Sequence, residues 1–292
     1  GAGIMKNWRN ELFAWLLMLS GLGTILLLMG STFYVVIAQS LGWFNLEGDS
    51  HFSLEYWRNM LQDEVLQSAL FYSVKVSLLG AFGSVIFAYP LALWLRKPMV
   101  GKAGIIAVLR APMFIPGLVA AFLFVNIVAY HGIINELLLA LGIISEPLRV
   151  QNDDFGWGVV ILQIWKNLPL ALILVGGAVN AIRNDVLDAA SNLGANRWRS
   201  FTGVVVPLTL PAVQVTLILV FIGALGDFAF FSVAGPRNTY SLSRLMQATA
   251  MEYGEWNSAA VIAVIIMVTA AICTLLIALL ITPFATRKGE LK

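Results

Sequence analysis

The chain has 292 residues, 59% of them apolar and 12% charged, with a formal net charge of +2, against roughly 45–50% and 25% in soluble domains. That balance excludes an ordinary water-soluble globule and leaves no general electrostatic reason to bind nucleic acid. The one cysteine, Cys273, excludes an intramolecular disulfide and a cysteine metal cluster, while His51 and His131, far apart and beside predicted helix ends, read as interfacial residues rather than zinc ligands.

Gly1 to Ile4 precede Met5 and read as a cloning remnant, with residues 1–10 forming a short N-terminal segment. From Leu12 to Leu46 the chain carries no charge, which outruns the roughly 7–15 residues of a signal-peptide core and predicts a retained anchor. A bilayer core asks for about 20 apolar residues per helix. Six spans are predicted, near 12–38, 70–95, 111–130, 157–181, 212–233 and 259–283, in one transmembrane domain over 11–286 with a tail at 287–292. The fold class is therefore all-α and integral to the membrane. Gly80, Gly83, Pro90, Pro116 and Pro169 inside these runs favour a packed bundle, in which neighbouring helices resupply packing and hydrogen bonds. The segments after the first and third spans are long enough for short helices, and His51 to Trp57 reads as an interfacial piece.

Orientation follows from Lys and Arg. Lys6, Arg9, Arg96, Lys97, Lys102, Arg110, Arg183, Arg197, Arg199, Arg287, Lys288 and Lys292 fall on one side, against Arg58, Arg149, Arg237 and Arg244 on the other. The positive-inside rule then places both termini in the cytoplasm. Most acidic residues, from Glu47 to Glu255, fall on the outer side.

The loop 182–211, between the fourth and fifth spans, is cytoplasmic on this reading. Asp185 can cap a helix whose apolar stripe is Val186, Leu187, Ala189, Ala190 and Leu193, and Gly194 offers a left-handed stop. A second short helix, near Ala195 to Phe201, carries Arg197, Trp198 and Arg199. Small residues at 189, 190 and 194 permit close approach of a partner, with Asp188 and Arg197 at the rim. On periodicity alone, a helix pair lying on lipid headgroups fits equally.

Ionisable residues within spans are costly enough to count as functional candidates. Lys75, near the end of its span, reads as snorkelling to the headgroups. Lys166 is deeper, one turn from Pro169, and can line a path. Asp227 either meets a cationic solute or pairs with Lys166. Asn126, Tyr130, Trp165 and Asn167 are further path candidates, with ordinary interhelical packing as the alternative. The sequence contains no Gly-x-x-x-x-Gly-Lys-Ser/Thr phosphate loop and no Gly-x-Ser-x-Gly or His-Glu-x-x-His motif.

The pattern Asp188-Ala189-Ala190, three residues, Gly194, nine residues, then Val204-x-Val206-Pro207 resembles the EAA motif of permeases in binding-protein-dependent type I ABC importers. It departs by Asp for Glu at 188 and by Val at 204 and 206. The resemblance extends from about Leu66 to Pro283 and implies a six-span, MetI-like fold in a bacterial inner membrane. It also implies that the loop is a coupling helix, with Asp185, Asp188, Ala189, Ala190, Gly194, Arg197 and Pro207 seated against an ATPase. Its implied partners are a paralogous second permease, two copies of a cytoplasmic ATPase that bind the ATP and Mg, and an external solute-binding protein. This chain itself would then carry no cofactor and no enzyme activity. The stretch Gly132 to Gly142 looks similar to permeases for polyamines, opines and phosphonates, whereas Gly226-Asp227-Phe228 resembles those for oxyanions and iron; sugar permeases share the layout. The competing classes are a gradient-driven secondary transporter, which usually shows inverted repeats, and a membrane enzyme. Neither an internal repeat nor a catalytic cluster is visible in the sequence.

Overall fold

The structure is a computed structural model and describes residues 1–46 and 48–286, the side chains of 285 and 286 excepted. Glu47, the tail 287–292 and its topology charges Arg287, Lys288 and Lys292 lie outside the described residues. The architecture is helical, with no strand among the described residues, and six helical stretches are long and apolar enough to cross a membrane.

The chain divides into two compact units, Gly1–Gln62 with Met246–Val264, and Asp63–Leu245 with Ile265–Lys292. In the first unit, α1 (Ala2–Ser40) begins ten residues before the predicted span. Lys6, Arg9 and Glu11 do not stop it, because straight-chain polar residues lose little rotamer freedom in a helix. None of its apolar window is buried. Its hydroxyls turn inward, Ser20, Thr24, Ser31 and Thr32 each donating to a carbonyl three or four residues back, so no side-chain donor among them is left facing hydrocarbon. After α1 the chain reverses at Gly42, whose φ of +94° and approach to the His51 carbonyl exclude a side chain. The expected interfacial piece is α2, placed slightly later at Glu55–Leu61. Trp57 Nε1 donates to Ser40 Oγ at 3.2 Å, and Asn257 Nδ2 donates to Gln39 O at 2.7 Å.

The second unit is built on α3 (Glu64–Leu95), α4 (Lys102–Arg110), α5 (Gly117–Val128), α6 (Ile133–Ala140) and α7 (Trp157–Asn180). Gly80, Ser84, Ala88 and Ala92 recur every fourth residue on α3 and are all buried. A Cβ on Gly80 would stand 2.9 Å from Gln163 Cβ, and one on Gly83 would stand 2.4 Å from Ile164 Cδ1. Small residues are the means by which membrane helices, lacking a hydrophobic drive toward one another, gain van der Waals contact. Gly156 meets Tyr72 and Val76, Gly80 meets Gln163, and Gly176 meets Ala92. The positions rise together, so α3 and α7 run parallel.

Beyond α7 come α8 (Asn184–Asn192), α9 (Arg197–Ser200), a π turn at Phe201–Val205, α10 (Val206–Leu225), α11 (Ala229–Ala234) and α12 (Leu242–Gln247). The last helix, α13 (Trp256–Thr286), continues from one unit into the other. Leu217, Val220, Phe221 and Leu225 of α10 pack on Ala81 and Val85 of α3 and on Ile277 of α13. Tyr89 and Thr209 join α3 to α10 through their hydroxyls at 2.5 Å.

Two predicted spans differ in outline. The third begins at Gly117 rather than Ala111, since Pro112 and Pro116 divert the chain through a 3-10 turn at Ala111–Phe114 and an extended Ile115 (φ −92°, ψ 123°); the residue before proline is driven out of the α region. The fifth ends at Leu225, and Gly226 to Phe228 interrupt it before α11. Asp227 therefore lies in a break between helices, not inside one.

Candidate functional site

The loop between α7 and α10 is an exposed pair of short helices. Helix α8 contains no buried residue, and its end closes as a Schellman motif: Ala195 N donates to Ala190 O at 3.1 Å and Gly194 N to Ser191 O at 3.0 Å, with Gly194 at φ +89°. Asn196 then caps α9, its Oδ1 accepting from Arg199 N at 2.8 Å. The predicted helix, left-handed stop and second helix are thus present. One detail differs. The helix starts at Asn184, so Asp185 is inside the first turn rather than at the cap, and its carboxylate pairs with Arg183 at 2.9 Å. There it still faces the positive end of the helix.

Asp188, Ala189, Gly194 and Arg197 are exposed, while Ala190 and Pro207 are half-buried. Leu193 is 89% and Trp198 70% exposed. Asp188 and Arg197 form no ion pair among the described residues.

The polar candidates within the membrane region are scattered rather than gathered. Lys166 Nζ donates to Pro112 O at 2.7 Å and also to Ile115 O. It thereby supplies donors to the non-helical backbone before Pro116, which at membrane depth has no water to satisfy it. Asp227 Oδ2 accepts from Phe230 N at 3.0 Å, and Asp227 O accepts from Ser243 Oγ at 2.5 Å. The Asp227–Lys166 pair, one of two expectations for these residues, is not formed: no such ion pair exists among the described residues. Asp and Asn readily bond local amides in preference to continuing a helix, which accounts for the break at Asp227.

Asn167 Nδ2 donates to Gln163 O and Oε1 at 2.8 and 3.0 Å, within its own helix. Trp165 packs on the apolar cluster of Tyr72, Val76, Val159, Phe230 and Phe231. Asn126 is exposed and donates back to Phe122 O at 3.0 Å, and the exposed Tyr130 meets the His131 ring edge-on at 4.9 Å. Lys75 is held over the Phe155 ring at 4.0 Å, a cation–π contact that lowers the cost of a cation near apolar surroundings.

Sequence reasoning passed over several organising residues. Asp153 accepts from the amides of Gly156, Trp157 and Gly158 at 3.0, 2.8 and 3.0 Å and so caps α7; an acidic residue just ahead of Gly-Trp and an apolar run was the available signal. Buried Asn135 of α6 donates to Leu148 O at 2.7 Å and accepts from Leu148 N at 3.0 Å, closing the loop after α6. Arg96, counted only as a topology charge, donates to Val179 O, Ile182 O and Asn184 Oδ1.

Residues 84–287 match the family described as the inner membrane component of binding-protein-dependent transport systems. The spermidine/putrescine permease protein PotB of Escherichia coli is 23% identical over 206 residues, 70% of this chain and 74% of that protein. The molybdenum permease protein ModB of Escherichia coli is 33% identical over 173 residues, 58% of this chain and 71% of that protein. Among solved structures, a bacterial ABC transporter that imports the acidic polysaccharide alginate superposes with a TM-score of 0.76 at 18% identity. It covers 95% of this chain and 99% of the matched chain, a likeness of fold. The exposed helical loop, the six apolar helices and the matched span agree, and the chain belongs to the inner membrane components of binding-protein-dependent transport systems, the multi-pass permease subunits of bacterial ABC importers.

Proposed function

We propose that this chain forms half of a solute path and is driven by a separate ATPase that grips the loop 183–207. The observation carrying this reading is the exposed loop itself: a helix with no buried residue, stopped at Gly194, with Leu193 and Trp198 exposed. An amphipathic projection of that kind buries its apolar residues by docking, and a protein partner rather than a lipid surface fits the small residues at 189 and 194. With the termini and this loop in the cytoplasm, as the Lys and Arg distribution favours, the partner is a cytoplasmic ATPase in two copies that binds the ATP and Mg. This chain then needs no cofactor of its own. ATP binding closes the ATPases, the loops move with them, and the bundle shifts between two packings. A paralogous permease supplies the other half of the path, and an external binding protein delivers the solute.

For the solute, a polyamine-like cation is the first reading, supported by the likeness to PotB over 206 residues. The 33% identity to ModB favours an oxyanion as the second. Neither Lys166 nor Asp227 decides between them, since both polar heads are engaged with backbone. The test is co-purification of an ATPase through this chain in lipid nanodiscs, with hydrolysis measured against binding protein loaded with spermidine or molybdate. Stimulated hydrolysis with one solute supports the reading and names the class. Absence of any ATPase after several mild extractions refutes the coupling reading of the loop.

A further inference from the structure

We propose that Arg96 is a positioning residue that locks the start of α8 to α3 and α7, so that movement of the loop is carried into the membrane bundle; this rests on the coupling reading of the loop. Arg96 stands at the end of α3. Its Nη1 donates to Val179 O at 2.5 Å, and its Nη2 donates to Ile182 O at 2.6 Å and to Asn184 Oδ1 at 2.9 Å. One guanidinium thus reaches the last helical turn of α7, the connector after it and the first residue of α8.

The chemistry suits the place. The last carbonyls of a helix lack intrahelical donors and form its negative end. Arginine offers several N–H groups in a planar fork and stays charged, whereas lysine offers a point charge on a flexible stem. Arg96 forms no ion pair with a carboxylate among the described residues.

The consequence lies in how α8 is held. Only residues 181–183 separate α7 from α8, and α8 buries no side chain. Among the described residues, Arg96 to Asn184 is the one hydrogen bond that joins an α8 side chain to another membrane helix. Without it, a pull on α8 is taken up by swivelling at 181–183. With it, the same pull acts on α3 and α7 together, and these two are packed closely enough through Gly80 and Gly83 to move as one body.

Two readouts test this. In the first, spin labels are placed at the fully exposed Val100, which follows α3, and at Ser191 on α8, as Val100→Cys and Ser191→Cys in a Cys273→Ala background. The distance distribution is measured in nanodiscs on the chain alone. It is expected to be narrow with Arg96, to broaden in Arg96→Ala, and to broaden in Asn184→Ala, which leaves the contacts to α7 intact. In the second, the complete importer is assembled with its ATPase, and Arg96→Ala is expected to keep the ATPase bound while stimulation of hydrolysis by the binding protein falls about fivefold or more, the scale of an ordinary coupling between sites. Arg96→Lys is expected to recover only part of both.

An unchanged distance distribution in both Arg96→Ala and Asn184→Ala overturns the proposal. So does full recovery by Arg96→Lys, which would make charge alone sufficient, and so does a variant that lowers the yield of complex while stimulation per complex is unchanged. If no ATPase binds the wild-type chain, the coupling reading fails and this inference fails with it, whatever the distances show.

Discussion

Substituting Gly194 separates backbone geometry from bulk. The residue has φ +89°, and a Cβ built on it meets nothing within 4 Å. Any cost of Gly194→Ala is therefore conformational, and placing an L residue in the left-handed region costs about 1–2 kcal/mol. That energy lowers the ratio of formed to unformed turn by a factor of about 5–30. Because the partner binds only the formed turn, the apparent affinity for the ATPase falls by up to the same factor. Asn enters the left-handed region more readily than other residues, whereas β-branched Val is the worst case. The expected order of ATPase binding, titrated on nanodisc-embedded chain, is Gly, then Asn, then Ala, then Val. The reasoning is refuted if Ala binds as tightly as Gly, or if Asn is as weak as Val.

Within the bundle, Gly80→Val is expected to lower the melting temperature of the purified chain by the equivalent of about 1–3 kcal/mol of overpacking, since even its Cβ would stand 2.9 Å from Gln163 Cβ. Gly177→Ala, whose Cβ meets nothing within 4 Å, serves as the control and is expected to leave the melting temperature unchanged or to raise it. Asp153→Ala removes the acceptor of three amides at the start of α7 and is expected to cost about 1–3 kcal/mol, with faster deuterium exchange at residues 156–158; protection equal to wild type would disprove the cap. Lys166→Met removes the side-chain donor to the Ile115 carbonyl and leaves that of Pro112 only the Ile115 amide, and it is expected to lower thermal stability together with uptake. Lost uptake at unchanged melting temperature would instead place Lys166 on the solute path.

Composition and pattern carried much of this protein. Apolar runs of bilayer length predict six spans, because a backbone crossing lipid must satisfy its own hydrogen bonds and an apolar run of about 20 residues does so as a helix. The loop was equally legible: Asp188, Ala189, Ala190 and Gly194 mark a short helix and its stop, since local dihedral preference needs no tertiary context. What the sequence could not decide is where polar groups spend their hydrogen bonds. Lys166 and Asp227 read as a possible ion pair, yet each serves backbone released by a helix break, one before Pro116 and one before α11. Likewise, Arg96 was visible as one more positive charge, and its contacts with Val179, Ile182 and Asn184 lie 83 or more residues away in the chain. Helix formation and membrane insertion depend on short windows of sequence, so the sequence by itself determined them. The partners of Lys166 and Arg96 depend on which backbone carbonyls arrive within about 3 Å, and only the packing of α7 against the 111–115 turn and against the end of α3 decided that.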